Sequence, residues 1–174
     1  LNGGDNAAGY TDIADYGVPN PAFGVFANLG TGPVTVKGQT VAAGRATDMT
    51  GGNSVGTDTL TNIDGAFGSG AADILVGGSD SRSYNGNLFE QWTGNGGNDI
   101  IAGNAAALSS ALSPGAPGIV NLLEFDMIYF FGATSGVRVH FGLGTAQDGQ
   151  GGNDLLFDID QVQGSSFDDM LIGG

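Results

Sequence analysis

The sequence predicts an all-β fold in which short parallel strands stack on one another as successive layers of a solenoid. Three observations predict it: 34 of the 174 residues are glycine, short apolar runs recur between Asp and Gly, and the sequence repeats internally. Strands of two or three residues are too short for an ordinary sheet. They are stable when each one pairs with the layer before and the layer after it.

The acidic composition favours turns and bound cations. Sixteen of the 18 acidic residues are Asp, and the formal net charge is −14. Asp suits turns because its short side chain hydrogen-bonds to nearby backbone, whereas helical surfaces favour Glu. Four Lys and Arg residues are too few to neutralise a phosphate backbone or an anionic membrane, so we expect no nucleic acid partner and no membrane insertion. The absence of Cys excludes disulfides and thiolate metal sites.

The internal repeat defines the organisation of the chain. Residues 56–78 and 152–174 align without gaps and are identical at 11 of 23 positions. The match extends upstream, where 12–32 aligns with 126–146 when gaps are allowed. We therefore predict two copies of one unit, at 1–78 and 79–174. Because the chain begins with Leu1 and ends at Gly174 within a motif, we expect it to be a segment of a longer polypeptide.

Each predicted strand offers one apolar side chain to the interior. These inward residues are predicted to be Leu60, Leu75, Ile101, Leu156 and Leu171. Two longer alternating runs, 25–29 and 137–141, are typical of conventional strands.

Two stretches interrupt this pattern and are predicted to be insertions that loop out of the fold. The first, 79–93, carries the aromatic residues Tyr84, Phe89 and Trp92. They leave two interpretations open, a platform for cell-surface glycans or core packing of the inserted loop. The second, 104–123, predicts a short helix over 105–112 that ends before Pro114.

Two nonapeptides carry the motif with the clearest chemistry. GNGGNDIIA (94–102) and GQGGNDLLF (149–157) match the pattern G-G-x-G-x-D-x-U-x except at the second glycine. Here the chain resembles the RTX, or hemolysin-type repeat, proteins, whose calcium-binding signature is this pattern. The resemblance implies a parallel β-roll in which six residues form a turn, three form a strand, and Asp carboxylates and backbone carbonyls hold Ca²⁺.

The resemblance carries residue by residue onto Asp99 and Asp154, and onto Asp73 and Asp169 in two degenerate turns. Calcium prefers six to eight hard oxygens, and glycine lets a loop turn its carbonyls toward one point. Asp58 lies 15 residues before Asp73, the same spacing as Asp154 before Asp169, so each pair is expected at one edge. The complete set of predicted calcium-site residues is Asp58, Asp64, Asp73, Asp99, Asp154, Asp160, Asp169, Gly94, Gly97, Gly149 and Gly152, with Asp64 and Asp160 at the opposite edge.

These features predict a non-catalytic, extracellular calcium-binding module. The resemblance implies a bacterial surface adhesin, surface-layer or filament protein exported by type I secretion, with neighbouring repeat copies as partners. A calcium-folded accessory module of a secreted epimerase, protease or lipase is the alternative. His140, the sole histidine, lies in an alternating run opposite Val139, where a structural role is favoured over a catalytic one. Calcium turns also explain the Asp158/Asp160 and Asp168/Asp169 pairs better than a two-carboxylate glycosidase does.

Overall fold

The computed structural model describes residues 1–3, 11–17, 23–49, 56–78, 83–84, 87–112 and 124–174. Within these ranges β-strand is by far the commonest regular structure, with one short α-helix, which confirms the all-β class. In chain order the strands are β1 (Ile13–Asp15), β2 (Val25–Asn28), β3 (Val34–Val36), β4 (Gln39–Val41), β5 (Arg45–Asp48), β6 (Thr57–Thr59), β7 (Gly65–Phe67), β8 (Ile74–Val76), β9 (Ser83–Tyr84), β10 (Asn87–Thr93), β11 (Ile100–Ala102), β12 (Glu124–Tyr129), β13 (Arg138–His140), β14 (Thr145–Gln147), β15 (Asn153–Phe157), β16 (Gln161–Gln163) and β17 (Met170–Ile172). The predicted helix is confirmed as α1 (Ala105–Leu112), and a 3₁₀ turn spans Phe141–Leu143.

The strands form two large sheets and one hairpin. The first sheet has the order β1-β7-β10-β12-β16, all parallel, with β9 antiparallel to β10 at one end. The second has the order β17-β13-β14-β15-β11-β8-β2-β5-β6. Its centre, β15-β11-β8-β2, is parallel, but β5, β6 and β14 pair antiparallel with their neighbours. The sequence did not predict these antiparallel pairs, because short meanders leave the same Gly-rich punctuation as turns between layers.

The sequence repeat is also a structural repeat. Strands β6, β7 and β8 of the first copy correspond to β15, β16 and β17 of the second, and β1, β2 and β5 correspond to β12, β13 and β14. The registers agree, since Ala27 pairs with both Leu75 and Ala46 while Val139 pairs with both Leu171 and Ala146. We call β1, β2 and β5–β8 the first unit and β12–β17 the second unit. A rung is one strand of the first sheet with the second-sheet strand that follows it, and β10 with β11 form the middle rung between the units.

The main core lies between the two sheets. Most strands contribute one inward residue to it, because successive side chains of a strand point to opposite faces of the sheet. The first sheet contributes Ala14, Ala66, Trp92 and Ile128, and the second contributes Ala27, Leu75, Ile101 and Leu156. The predicted inward positions Leu60, Leu75, Ile101 and Leu156 are thereby confirmed as buried.

A second apolar cluster covers the outer face of the second sheet in the first unit. The hairpin β3–β4 places Val34, Val36 and Val41 against Phe26 and the outer residues of β8 and β11, and Leu108 of α1 joins them. The hairpin turn at Lys37 and Gly38 has positive φ at both residues (49° and 82°), the geometry that suits the twist of a two-residue hairpin.

Two predictions about single segments are wrong. Residues 87–93 do not loop out of the fold: they form β10, in the middle of the first sheet, and Trp92 is fully buried. Core packing is therefore the correct interpretation of Trp92, which is inaccessible to a sugar. Leu171 is not an inward core residue, since 47% of its side chain is exposed at the end of the second sheet.

The repeat supplies a matched pair for testing the core. Leu75 and Leu171 occupy the same position in the two units, but Leu75 is completely buried. We expect Leu75→Ala to lower the free energy of unfolding by about 2–5 kcal/mol because it leaves a cavity, and Leu171→Ala to lower it by less than about 1 kcal/mol. Urea denaturation at dilute protein concentration measures both, and equal losses would contradict the difference in burial.

Candidate metal site

Three aspartates stack at one edge of the second sheet. Asp73 precedes β8, Asp99 precedes β11 and Asp154 lies in β15, and each is only 1% exposed. They meet because Ile74, Ile100 and Leu155 are paired in register in the parallel ladder. The structure thus brings together three of the predicted calcium-site residues, Asp73, Asp99 and Asp154, and we call these three residues the aspartate column.

Backbone hydrogen bonds fix one oxygen of each carboxylate. The Asp73 N–H donates to Asp99 Oδ1 at 2.8 Å, and the Asp99 N–H donates to Asp154 Oδ1 at 3.2 Å. The Val25 N–H likewise donates to Asp73 Oδ1 at 2.6 Å. Each carboxylate therefore joins its own strand to the neighbouring one.

Other carboxylate oxygens at this edge are buried without a hydrogen-bond partner. They are Asp99 Oδ2 and Asp154 Oδ2, together with Oδ2 of Asp148, whose side chain is 1% exposed. The other Asp148 oxygen accepts the N–H groups of Gln150 and Gly152. A buried charged oxygen without a partner is costly, so these three oxygens are suited to a bound cation. Sequence analysis missed Asp148, although Asp48 precedes it at the same place in the repeat and is equally buried.

Glycine makes the room beside these carboxylates. A Cβ at Gly94 would collide with the Asp99 carboxylate, and one at Gly152 would collide with both Asp148 Oδ2 and the Gly97 carbonyl oxygen. A carboxylate and a carbonyl from a neighbouring turn thus face the same glycine, and such mixed hard oxygens are what calcium prefers. Gly97 itself has φ +118°, a conformation that other residues resist.

Burial raises the pKa of all three column carboxyl groups. The pKa of Asp99 rises to about 9, first because of desolvation and then because Asp154 and Asp73 repel its charge. The pKa values of Asp73 and Asp154 rise to about 7, in both cases chiefly through desolvation. Without a cation, the folded column therefore retains protons at neutral pH.

Asp169 occupies the position of Asp73 in the second unit but behaves differently. Its carboxylate accepts the Ser165 hydroxyl and the Val137 N–H, as Asp73 accepts those of Ser69 and Val25. Its pKa is nevertheless lowered, first by the Ser165 hydroxyl and then by the Val137 N–H. The difference is burial, because β11 packs beside β8 whereas β17 is the last strand of its sheet. Asp169 therefore has the predicted turn geometry but does not join the column.

Asp64 and Asp160 lie at the opposite edge, as predicted. Asp64 directly precedes β7, whereas Asp73 ends the turn that leads from β7 to β8, so the two acids lie on opposite sides of β7. Asp64 Oδ2 accepts the Asp12 N–H at 2.9 Å, and Asp160 Oδ2 accepts the Asp126 N–H at 3.1 Å. Asp126, which aligns with Asp12, is buried, and one of its carboxylate oxygens accepts the indole N–H of Trp92 at 3.3 Å. Its carboxylate and the Asp158 carbonyl both abut Gly103.

Asp58 is not part of the column. It corresponds to Asp154 in the repeat, since Asp58 pairs with Ala46 as Asp154 pairs with Ala146. Instead, one Asp58 oxygen accepts the hydroxyl of Tyr16 at 3.1 Å. The column lacks it because β6 is the last strand at its end of the sheet and is separated from β8 by β5 and β2.

Each of the two nonapeptides ends in a strand, but the turns that precede these strands connect different kinds of neighbours. Residues 94–99 connect β10 of the first sheet to β11 of the second, whereas 148–152 connect β14 to its antiparallel neighbour β15 within one sheet. The Gly149 carbonyl accepts the hydroxyls of Thr134 and Ser135. Asn95, which replaces the second motif glycine, adopts φ +65°, a left-handed conformation that Asn tolerates.

Among the residues that the structure describes, no three Asp, Glu, His or Cys side chains surround a single point. A cation at the column would therefore take carbonyl oxygens and water in addition to carboxylates. None of the described helices is long and apolar enough to cross a membrane. No family model, curated protein or solved structure matches the chain.

The raised pKa values predict that metal-free stability falls as pH rises. A carboxyl group that titrates at 3.8 when unfolded and near 7 or 9 when folded binds protons preferentially in the folded state. Stability is then complete below about pH 4 for these groups and is lost as pH rises through 7 toward 9. Thermal denaturation in EDTA at pH 5, 7 and 9 should give a decreasing Tm, and a rising Tm would contradict the burial of these charges.

Proposed function

We propose that this chain is a non-catalytic, calcium-binding structural module, a β-roll of the RTX type that works outside the bacterial cell. The aspartate column carries the proposal, because it buries three carboxylates in register and leaves Asp99 Oδ2 and Asp154 Oδ2 without partners. Two features support the β-roll itself. The path β1-β7-β10-β12-β16 of the first sheet and the centre of the second sheet, β15-β11-β8-β2, are parallel ladders, and each of these strands contributes an inward apolar residue.

Calcium fits this edge better than a proton or a nitrogen-liganded metal. The available ligands are carboxylate and carbonyl oxygens, which are calcium ligands, whereas zinc and copper favour imidazole or thiolate. The chain has one His and no Cys. A divalent cation would replace the protons that Asp73, Asp99 and Asp154 otherwise retain, and it would remove the repulsion between neighbouring carboxylates.

The proposed site couples folding to location. Extracellular calcium modules have dissociation constants of about 10⁻⁴ to 10⁻³ M, so such sites fill outside cells and stay empty in calcium-poor cytoplasm. Binding to the folded state alone stabilises it by about 1.4 kcal/mol per site when calcium is tenfold above Kd. With a net charge of −14, the metal-free chain is also destabilised by self-repulsion. It would therefore remain unfolded during export and fold at the cell surface.

The arrangement of units favours a building block of an adhesin, surface layer or filament. Two equivalent units stack along one axis with the middle rung between them, and both sheets continue through all three parts. A solenoid of this kind extends by adding equivalent layers, because each layer contacts only its neighbours.

The test is a calcium titration of the wild-type chain and Asp99→Asn, followed by circular dichroism and thermal denaturation. We expect calcium to raise the Tm of the wild type, and magnesium to have a much smaller effect because it dehydrates reluctantly. In EDTA at pH 9, where the Asp99 carboxyl begins to lose the proton that its raised pKa otherwise retains, Asp99→Asn should raise the Tm, and it should lose most of the calcium-induced increase. These opposite signs distinguish a calcium ligand from a purely structural Asp.

Asp168→Asn is the matched control, because it removes one negative charge from an exposed side chain. It should leave both Tm values close to those of the wild type. Stability of the wild type that is indifferent to both EDTA and calcium would overturn the proposal.

A further inference from the structure

The end of the second sheet at β17 is an uncovered copy of an interior surface. Met170, Leu171 and Ile172 are 41–47% exposed, whereas their counterparts Ile74, Leu75 and Val76 are completely buried. On one side, the two strands have equivalent neighbours: β8 pairs with β2, and β17 pairs with β13, the counterpart of β2. On the other side β8 is covered by β11, and β17 ends the sheet. Three adjacent apolar residues on a terminal strand form a surface suited to another strand.

The equivalent interior surface, that of β8, is covered by the parallel strand β11. Ile101 and Ala102 of β11 pair in parallel with Leu75 and Val76, and the Gly77 N–H donates to the Ala102 carbonyl at 2.9 Å. On its far side the same strand is followed by Gly103, whose N–H donates to the Phe157 carbonyl at 3.0 Å. A strand of sequence Ile-Ala-Gly therefore joins a β8-type strand to a β15-type strand.

The opposite end of the molecule already carries a short segment in the equivalent place. Leu1–Gly3 lies beside β6, the counterpart of β15: Asn2 forms a parallel bridge to Thr61, and the Gly3 N–H donates to the Thr61 carbonyl at 3.0 Å. Thr61 corresponds to Phe157, so Gly3 corresponds to Gly103.

The surroundings of the two glycines confirm this correspondence. A Cβ at Gly3 would collide with the Asp12 side chain and the Asn62 carbonyl, and one at Gly103 with the Asp126 side chain and the Asp158 carbonyl. Asn62 and Asp158 even share a left-handed backbone, with φ of 54° and 53°. Leu1, Asn2 and Gly3 therefore occupy the places of Ile101, Ala102 and Gly103 of the middle rung.

We propose that two copies of this chain associate head to tail, with Leu1–Gly3 of one copy adding as a parallel strand to β17 of the next. By the interior register, Leu1 lies opposite Leu171 and Asn2 lies opposite Ile172. The contact covers apolar side chains that are exposed at both ends, since Leu1 is itself 62% exposed. This inference deepens the proposed structural role and rests on it, because it identifies the surface through which one module meets another.

The receiving end is already in the form that the contact needs. The Ser165 N–H and hydroxyl hold the Asp169 carboxylate at 2.8 and 2.6 Å, as those of Ser69 hold Asp73 at 2.7 and 2.9 Å. The turn before β17 thus has its interior conformation without a covering strand. Association therefore requires little ordering of the receiving chain, and that reduces its entropic cost.

Disulfide trapping tests the register directly, because the chain contains no Cys. The variant Asn2→Cys with Ile172→Cys places thiols at positions predicted to lie opposite each other between copies. Within one molecule these positions are at opposite ends of a nine-stranded sheet, and strand spacing of about 4.8 Å puts them far beyond disulfide reach. The control, Asn2→Cys with Leu143→Cys, uses an exposed position outside the predicted register.

In calcium, mild oxidation should convert the first variant into covalent dimers and longer chains at least tenfold faster than the control. Sedimentation velocity without cysteines should show concentration-dependent association of the wild type that Leu171→Lys abolishes and Leu143→Lys preserves. Equal cross-linking of both double variants, with circular dichroism showing that both are folded, would overturn the head-to-tail contact alone. Folding and register-specific cross-linking that persist unchanged in EDTA would instead support the contact while overturning the calcium proposal.

Discussion

Parallel pairing in register is the constraint on which the rest of the structure depends. Where strands stack in this way, residues at one position of the repeat become neighbours in space. Apolar positions gain from it, because Ala27, Leu75, Ile101 and Leu156 form a continuous ladder inside the fold. At the acidic positions the same register is unfavourable, because it brings the carboxylates of Asp73, Asp99 and Asp154 together and removes them from water. The sheet thus cannot form without concentrating negative charge at its edge.

Two features relieve this conflict within the chain. Backbone N–H groups of neighbouring strands donate to one oxygen of each column carboxylate, and glycines leave space beside the other oxygen. Raised pKa values of Asp99 and its neighbours show that the relief is incomplete in the absence of a cation. The proposal that folding awaits an external divalent ion rests on this incompleteness, and it agrees with an acidic sequence that has only four Lys and Arg residues.

The repeat separates the effect of sequence from the effect of position. Asp73 and Asp169 lie in turns with the same hydrogen bonds, yet their pKa values shift in opposite directions. Leu75 and Leu171 occupy equivalent places, yet one is buried and the other is half exposed. In each case the difference is the middle rung, which covers the first unit. The sequence therefore determines the turn and the side chain at each position. Whether that side chain is buried, and in which direction its pKa shifts, depends on the strand that covers it.

The sequence by itself determined the β class, the internal repeat, the inward positions of Leu60, Leu75, Ile101 and Leu156, and the helix at 105–112. These follow from local spacing, since an Asp, a short apolar run and a glycine define a turn and a strand wherever they occur. The tertiary structure alone decided which strands are neighbours. It placed β14 antiparallel to β15 and gave two nonapeptides of the same motif different turns. It also brought Asp148 to the column, made 87–93 a central strand and left Leu171 exposed. Strand partners are distant in sequence, and the burial of a side chain depends on a layer that its own segment does not encode.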